Sequence, residues 1–224
     1  LRPVAIAQVF RAGIPADELE YAPAAPLSAY GGNSIRSGEI SAESLRGEDG
    51  NVHVIEVEHG KILTGRSVAD ANSRGVARLA VKERYGKNFA PANGYVRGFG
   101  EGLSGAIASS VGHDSHNLIA VGAHERDMAV AMNALRRSGG GFCVVQDGAV
   151  TAQLDLPLGG LMSAQSAPEI RNSLAKLKSA SRAAGCELPE PFLQLAFLSL
   201  PVIPSLKLTD RGLVDVDRFE IIGV

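Results

Sequence analysis

The 224-residue sequence has no tryptophan and only two cysteines, and aromatic residues make up only 5% of it. Two cysteines are too few for the disulfide framework of a small secreted protein. We therefore expect Cys143 and Cys186 to be buried free thiols. The N-terminus lacks a secretory signal pattern, and no apolar run reaches the ~18 residues of a membrane span. A cytoplasmic location is the resulting expectation.

The sequence also lacks a large excess of charge of either sign. Its formal net charge is −2, with 22 basic and 24 acidic residues, which provides no electrostatic attraction to nucleic acid or to an anionic membrane. We therefore expect neither among its partners. The hydrophobic content of 45% is ordinary for a globular protein and allows a sizeable core. The chain begins with Leu1 rather than methionine, from which we expect a piece of a longer polypeptide.

Composition divides the sequence into two regions. Residues 1–50 are rich in proline, glycine, serine and alanine, and are predicted to form an extended N-terminal arm or linker. Residues 51–224 show strand and helix patterns and are predicted to form one α+β domain. Its sheets should be mainly antiparallel and covered by helices, because short hairpin links cannot carry the crossovers of parallel strands.

Apolar runs and partial alternation predict a series of strands before residue 123. In chain order these are 52–57, 61–64, 79–86, 94–100, 106–108 and 118–121. The first two would form a hairpin, and so would the third and fourth, although 79–86 is also compatible with a short helix. Further on, Asp147-Gly148 predicts a tight hairpin turn, because this dipeptide supplies the positive φ angles of a type I′ turn.

Helical periodicity predicts three helices in the second half of the chain. The first spans about 125–138 and ends at Gly139. The second spans about 168–184 and is preceded by a capping box of Ser166 and Glu169. The third is an apolar helix within 189–200.

Chemically active side chains are concentrated in residues 109–117, directly before the predicted strand 118–121. The candidates are Ser110, His113, Asp114, His116 and Asn117. Two imidazoles and a carboxylate can ligate a divalent metal, or form an Asp–His pair that orients a general base. On an ideal strand the two histidines would lie on opposite faces of the sheet and could not grip one metal. In a turn they could converge.

Three interpretations of this motif remain open. His113 and His116 are weak candidates for metal ligands, since no third convergent ligand is evident. The group is also a candidate for contact with a substrate or another domain, because polar loop residues on a rigid scaffold often carry function. Finally, the same residue types often satisfy backbone groups where a strand begins.

Residues 106–117 resemble the C-terminal region of the bacterial adenine deaminases of the amidohydrolase superfamily, whose motif reads Ala-Ser-Ser-Val-Ala-His-Asp-Ser-His-Asn. Gly112 stands where that family usually has alanine. The similarity recurs in order over roughly residues 50–224, which makes the match specific. Its other segments are 96–100, 139–141, 157–163, 200–204 and 206–216.

The resemblance implies an enzyme that hydrolyses adenine to hypoxanthine and ammonia, with a binuclear divalent metal centre (Mn or Fe) in a TIM-like barrel. That barrel requires a His-x-His pair, which this sequence lacks. We therefore expect no TIM barrel and no bound cofactor in this chain, which would be inactive alone. Its expected partners are the missing catalytic barrel, adenine as the substrate of the parent enzyme, and further copies of itself in a homo-oligomer.

Under this resemblance the substrate-proximal candidates are Ser110, His113, Asp114, His116 and Asn117, and none is assigned a catalytic role. The alternative function is a non-catalytic structural or oligomerisation module, in which the same polar residues are internal to the fold.

Overall fold

The computed structural model describes the short strands Phe10–Arg11 and Ile14–Pro15, residues 33–87 and residues 89–224. Most of the predicted arm, 1–50, lies outside the described residues. The described strands are β1 (Phe10–Arg11), β2 (Ile14–Pro15), β3 (Asn51–Val57), β4 (Thr64–Asp70), β5 (Val76–Lys82), β6 (Ala92–Arg97), β7 (Ala106–Ser109), β8 (Leu118–Gly122), β9 (Gly141–Gln146), β10 (Ala149–Asp155), β11 (Leu206–Thr209), β12 (Gly212–Asp215) and β13 (Glu220–Ile222). The described helices are α1 (Glu125–Ser138), α2 (Ala167–Ala183) and α3 (Pro191–Leu198), with a 3-10 turn at Glu43–Leu45.

An eight-stranded sheet in the order β10-β9-β7-β8-β5-β6-β3-β4 forms the centre of the molecule. Its neighbours pair antiparallel, except that β3 and β6 run parallel. A second sheet, β11-β12-β13, is antiparallel throughout. The described part of the chain contains no closed barrel. The predicted α+β class with mainly antiparallel sheets is therefore confirmed.

Alternation along β7 and β8 separates two cores on opposite faces of the sheet. Ala106 and Ala108 pack against Met128 and Leu135 of α1, and the same core includes Ile35, Ile40 and Leu45 from the segment before β3. The alanines let α1 lie close to the sheet.

The opposite face carries larger side chains. Ile107 and Ile119 of the sheet pack there with Leu195 of α3 and Leu208 of β11. Helix α2 covers the β9–β10 end of the sheet through Ile170, Leu174 and Leu177. The two packed faces fix the ends of β7 and β8, from which the candidate motif extends.

The locally encoded elements match their predictions. Helices α1, α2 and α3 lie within two residues of the predicted bounds, and both halves of the capping box at Ser166 and Glu169 are present. Asp147 and Gly148 have φ angles of 53° and 77°, as a type I′ turn requires. The Asp127 carboxylate of α1 accepts the N–H groups of both turn residues, at 3.1 and 2.8 Å.

Two predicted strand positions are wrong. The partner of β3 is not 61–64 but β4, Thr64–Asp70, and Ile62 and Leu63 are exposed in the turn that precedes it. Their apolar side chains gave this segment the sequence pattern of a buried strand, although both are exposed in the structure. The strand predicted at 79–86 lies three residues earlier, as β5, because the chain turns away after Lys82.

Both cysteines are buried free thiols, as predicted. Cys143 lies on β9, and burial raises its pKa to about 12. Burial likewise raises the pKa of Cys186, which follows α2.

Candidate functional site

The candidate motif forms the connection between β7 and β8, residues 110–117, which we call the β7–β8 loop. The solvent exposure of its residues is low at both ends of the loop and high in the middle. Ser110 and Asn117, at its two ends, are buried, whereas His113 and Asp114 in its middle are exposed and His116 is half-buried. The loop therefore has two anchored ends and a solvent-facing centre.

Ser110 anchors the first end of the loop. Its hydroxyl accepts the Gly141 N–H at 2.7 Å and donates to the Gly160 carbonyl at 2.8 Å. A Cβ on Gly140 would lie 2.6 Å from the same oxygen, so glycine is required there for this close approach. Ser110 thus joins β7, the start of β9 and the segment after β10 in one buried contact.

Asn117 anchors the second end. Its side-chain amide donates to Asp210 Oδ1 at 3.1 Å, and Asp210 lies in the turn between β11 and β12. The amide oxygen of Asn117 is buried without a hydrogen-bond partner. This contact links the loop to the three-stranded sheet.

His113 is held against α3 while remaining exposed. Its backbone N–H donates to the Ala196 carbonyl at 3.2 Å, and its ring packs against Phe197 with 4.9 Å between centroids. Asp114 follows it on the exposed surface. Both side chains are available to a partner that covers this end of the sheet.

His116 adopts a left-handed backbone conformation, with a φ of 51°. A positive φ is uncommon for residues other than glycine, although histidine adopts it more often than most, and such conformations cluster at functional sites. The His116 carbonyl accepts from Arg84 Nη1 at 3.1 Å, and Nδ1 of its ring is buried without a hydrogen-bond partner.

Arg84 is the charged group around which the loop is organised, although the sequence patterns did not indicate it. Only 3% of it is exposed. Besides the His116 carbonyl, it donates to the Ser34 hydroxyl and to the Gly159 carbonyl, the latter at 2.7 Å. Burial lowers the pKa of the guanidinium. A Cβ on Gly160 would lie 2.5 Å from the guanidinium, which would have to shift, and the φ of 76° at Gly160 also favours glycine.

These segments enclose a pocket of about 360 Å³ at the loop end of the sheet. Its lining residues are Ser34, Arg36, Arg84, Tyr85, His116, Gly159 and Leu161. The Tyr85 hydroxyl donates to the Ser115 carbonyl at 2.6 Å, which fixes one wall. Among the five sequence candidates, only His116 reaches this pocket.

The imidazoles and the carboxylate of the loop do not converge on one point. Within residues 33–87 and 89–224 no group of three or more histidine, cysteine, aspartate or glutamate side chains could hold a metal ion. His113 is directed to α3 and His116 to the pocket. The donor set therefore does not fit a metal centre within the described part of the chain.

Long, apolar helices of the kind that cross a membrane are not found among the described residues. The longest of the described helices, α2, carries charged residues throughout.

Comparison with known proteins identifies the family. Residues 52–220 match the family model described as the adenine deaminase C-terminal domain. The chain is 44% identical over 227 positions to an adenine deaminase of Brucella abortus (strain 2308), covering 96% of the chain and 39% of that protein. It is 46% identical over 228 positions to an adenine deaminase of Cereibacter sphaeroides (strain ATCC 17023), covering 96% of the chain and 40% of that protein.

The protein named adenine deaminase 1 of Rhizobium meliloti (strain 1021) is 46% identical over 227 positions, again over 96% of the chain and 40% of that protein. The chain thus spans about two-fifths of the length of these relatives. It belongs to the adenine deaminase C-terminal domain family.

Proposed function

We propose that this chain is the C-terminal part of an enzyme that hydrolyses adenine to hypoxanthine and ammonia, and that the β7–β8 loop faces the catalytic domain of that enzyme. The enzyme would belong to the amidohydrolase superfamily and serve purine metabolism and salvage in the cytoplasm. The observation that carries the proposal is the exposed pair His113 and Asp114, held out by buried anchors in a chain of this family.

The energetics of the loop support this orientation. Burying a polar group without a partner costs about 1–3 kcal/mol. The loop meets this constraint at Ser110, which is fully paired, and leaves His113 and Asp114 in solvent. It does not meet the constraint at Asn117 Oδ1 and His116 Nδ1, which are buried without a partner. A domain that covers the loop would supply partners for these two side chains.

The five candidates divide into two roles in this proposal. His113, Asp114 and His116 lie near the substrate or near the loops that enclose it. Ser110 and Asn117 act as positioning residues, because their side chains are occupied by Gly141, Gly160 and Asp210.

A metal centre, if the parent enzyme uses Mn or Fe, needs ligands from outside the described residues, which contain no group of three or more that could hold it. The described histidine, cysteine, aspartate and glutamate side chains do not fit such a centre, and we assign no metal-dependent step to this chain. The remaining partners proposed are the catalytic barrel itself and further copies of the enzyme in a homo-oligomer, with neither nucleic acid nor membrane.

The test uses the longer polypeptide that joins this chain to the region its relatives have beyond the match. His113→Ala and Asp114→Asn should lower kcat/KM for adenine by about tenfold, which is ~1.4 kcal/mol of transition-state stabilisation. The melting temperatures of the same variants of the isolated chain should change little, since both side chains are exposed there.

His59→Ala is the matched control, because His59 is exposed in the turn between β3 and β4. It should leave both quantities unchanged. If His113→Ala and Asp114→Asn behave like this control, the loop does not face the active site. A large loss of stability with unchanged kinetics would favour a purely structural module instead.

A further inference from the structure

The described residues that line the pocket beside His116 include several hydrogen-bond donors and no acidic side chain. Arg36, Arg84, His116 and Ser34 supply its polar groups. Arg36 is exposed at the pocket, and its backbone N–H is bonded to the Arg84 carbonyl at 2.8 Å. Both arginines thus belong to the lining of one pocket of about 360 Å³.

Arg84 is a buried cation whose described partners are all neutral. It donates to two carbonyls and one hydroxyl, and within the described residues no carboxylate oxygen lies within 4.0 Å of its nitrogens. Buried charges are normally paired with an opposite charge. The more exposed Arg66, Arg78 and Arg97 each have such a pair. Among the described residues, the charge of Arg84 thus has no opposite charge beside it.

Two neighbouring groups retain donor capacity. Ser34 Oγ accepts from Arg84, so its own hydrogen remains available to donate. Nδ1 of His116 is buried without a partner, and an imidazole nitrogen donates when it carries the proton. Ser34 and His116 line the same pocket as Arg36.

We propose that this pocket is a binding site for an oxyanion, a carboxylate or a phosphate, held by Arg36, Ser34 and His116 next to the charge of Arg84. Planar guanidinium groups match the geometry of such oxyanions. The anion is either a small free anion or the carboxylate of a side chain from the rest of the polypeptide. The second source rests on the proposed function; the site itself rests only on the pocket.

Calorimetric titration of this chain with inorganic phosphate, and separately with acetate, tests the site at constant ionic strength. We expect saturable binding of one anion per chain. Arg36→Gln should weaken it at least tenfold, and this variant should fold because the Arg36 side chain is exposed. His116→Asn should weaken it several-fold while tolerating the left-handed backbone.

Arg74→Gln is the matched control, since Arg74 is exposed and already paired with Glu101 at 3.0 Å. It should bind like the unaltered chain. Absence of saturable binding, or equal losses in Arg36→Gln and Arg74→Gln, would overturn the proposal.

The longer polypeptide then distinguishes the two sources. If phosphate binds it with the same affinity, the ligand is a free anion. If phosphate no longer binds while the isolated chain does bind it, a carboxylate of the added region fills the site. Deaminase activity is not measured in these titrations, so their failure would leave the proposed function untouched.

Discussion

The β7–β8 loop and the β9–β10 turn both join neighbouring antiparallel strands of one sheet, and they do so in contrasting ways. Asp147 and Gly148 alone close the β9–β10 hairpin, with both residues in the left-handed region. The β7–β8 loop uses residues 110–117 for the same topological task. Strand closure needs only two residues, so the additional length of the loop is not required to join the strands.

The two connections also differ in what holds them. The β9–β10 turn is fixed by a single carboxylate, Asp127, which accepts both turn N–H groups. The β7–β8 loop is fixed at both ends, by Ser110 and Asn117, and carries an exposed centre. Rigid ends with a free centre are the arrangement expected of a segment that presents side chains to a partner.

The contrast between the two connections would be wrong if the β7–β8 loop catalysed the deamination of adenine without another domain. We expect the isolated chain to release no ammonia from adenine, with or without added Mn²⁺, Fe²⁺ or Zn²⁺, because its described side chains do not converge on a metal site. An ammonia assay against a buffer control measures this. Ammonia release that a chelator abolishes would contradict the assignment of the catalytic centre to another domain.

The anchoring role of Ser110 is tested by Ser110→Ala. This change should lower the free energy of unfolding by about 2–4 kcal/mol, because it leaves the buried Gly141 N–H and Gly160 carbonyl without their partner. Urea denaturation measures it. Ser104→Ala, just before the opposite end of β7, should cost under about 1 kcal/mol, because Ser104 is exposed and makes longer hydrogen bonds of 3.3 and 3.4 Å. Equal losses in the two variants would argue against the anchor.

The variant His116→Asn of the longer polypeptide tests whether the His116 side chain contributes to activity. Asparagine tolerates the φ of 51°, so the loop should keep its shape while the imidazole is removed. We expect kcat/KM for adenine to fall about fivefold to tenfold with little change in melting temperature. A change in melting temperature alone would assign His116 to the scaffold.

One substitution, glycine to alanine, is expected to have effects of opposite sign in the two connections. Gly148→Ala should destabilise the chain by about 1–2 kcal/mol, since its φ of 77° strains any L side chain. Gly112→Ala should stabilise it by up to about 1 kcal/mol, because its φ is not positive and the new Cβ would meet His116 at an ordinary 3.4 Å. Changes of opposite sign in the free energy of unfolding, measured by urea denaturation, would support the contrast between the two connections. Changes of the same sign would contradict it.

The predictable parts of the fold are those encoded by neighbours in sequence. The Asp147-Gly148 turn, the Ser166 and Glu169 capping box and the apolar stripe of α1 each lie within a few residues, and each was identified. The β4 strand was misplaced because Ile62 and Leu63 are apolar yet exposed. A pattern of hydrophobicity carries no information about which apolar residues remain outside the core.

The candidate site was predictable only in its loop. Its central cation, Arg84, meets Ser34 and Gly159 across 50 and 75 positions of sequence, and Asn117 meets Asp210 across 93. Patterns of residue spacing within a helix, strand or turn cannot predict contacts between residues so far apart in the sequence. Two adjacent glycines at 159 and 160 were the one available signal, because a left-handed glycine often marks a close approach of the backbone to another group.

Because both thiols are buried, this molecule should react poorly with reagents that require a thiolate. Only Cys143 and Cys186 are present in the sequence, and burial raises the pKa of each. A cysteine introduced at the exposed position of Asp114 would therefore be the single reactive point on the chain. It would accept a spin label, a fluorophore or a crosslinker without protection of the native residues. With a second label on another domain, the distance between the two labels could then be measured in solution.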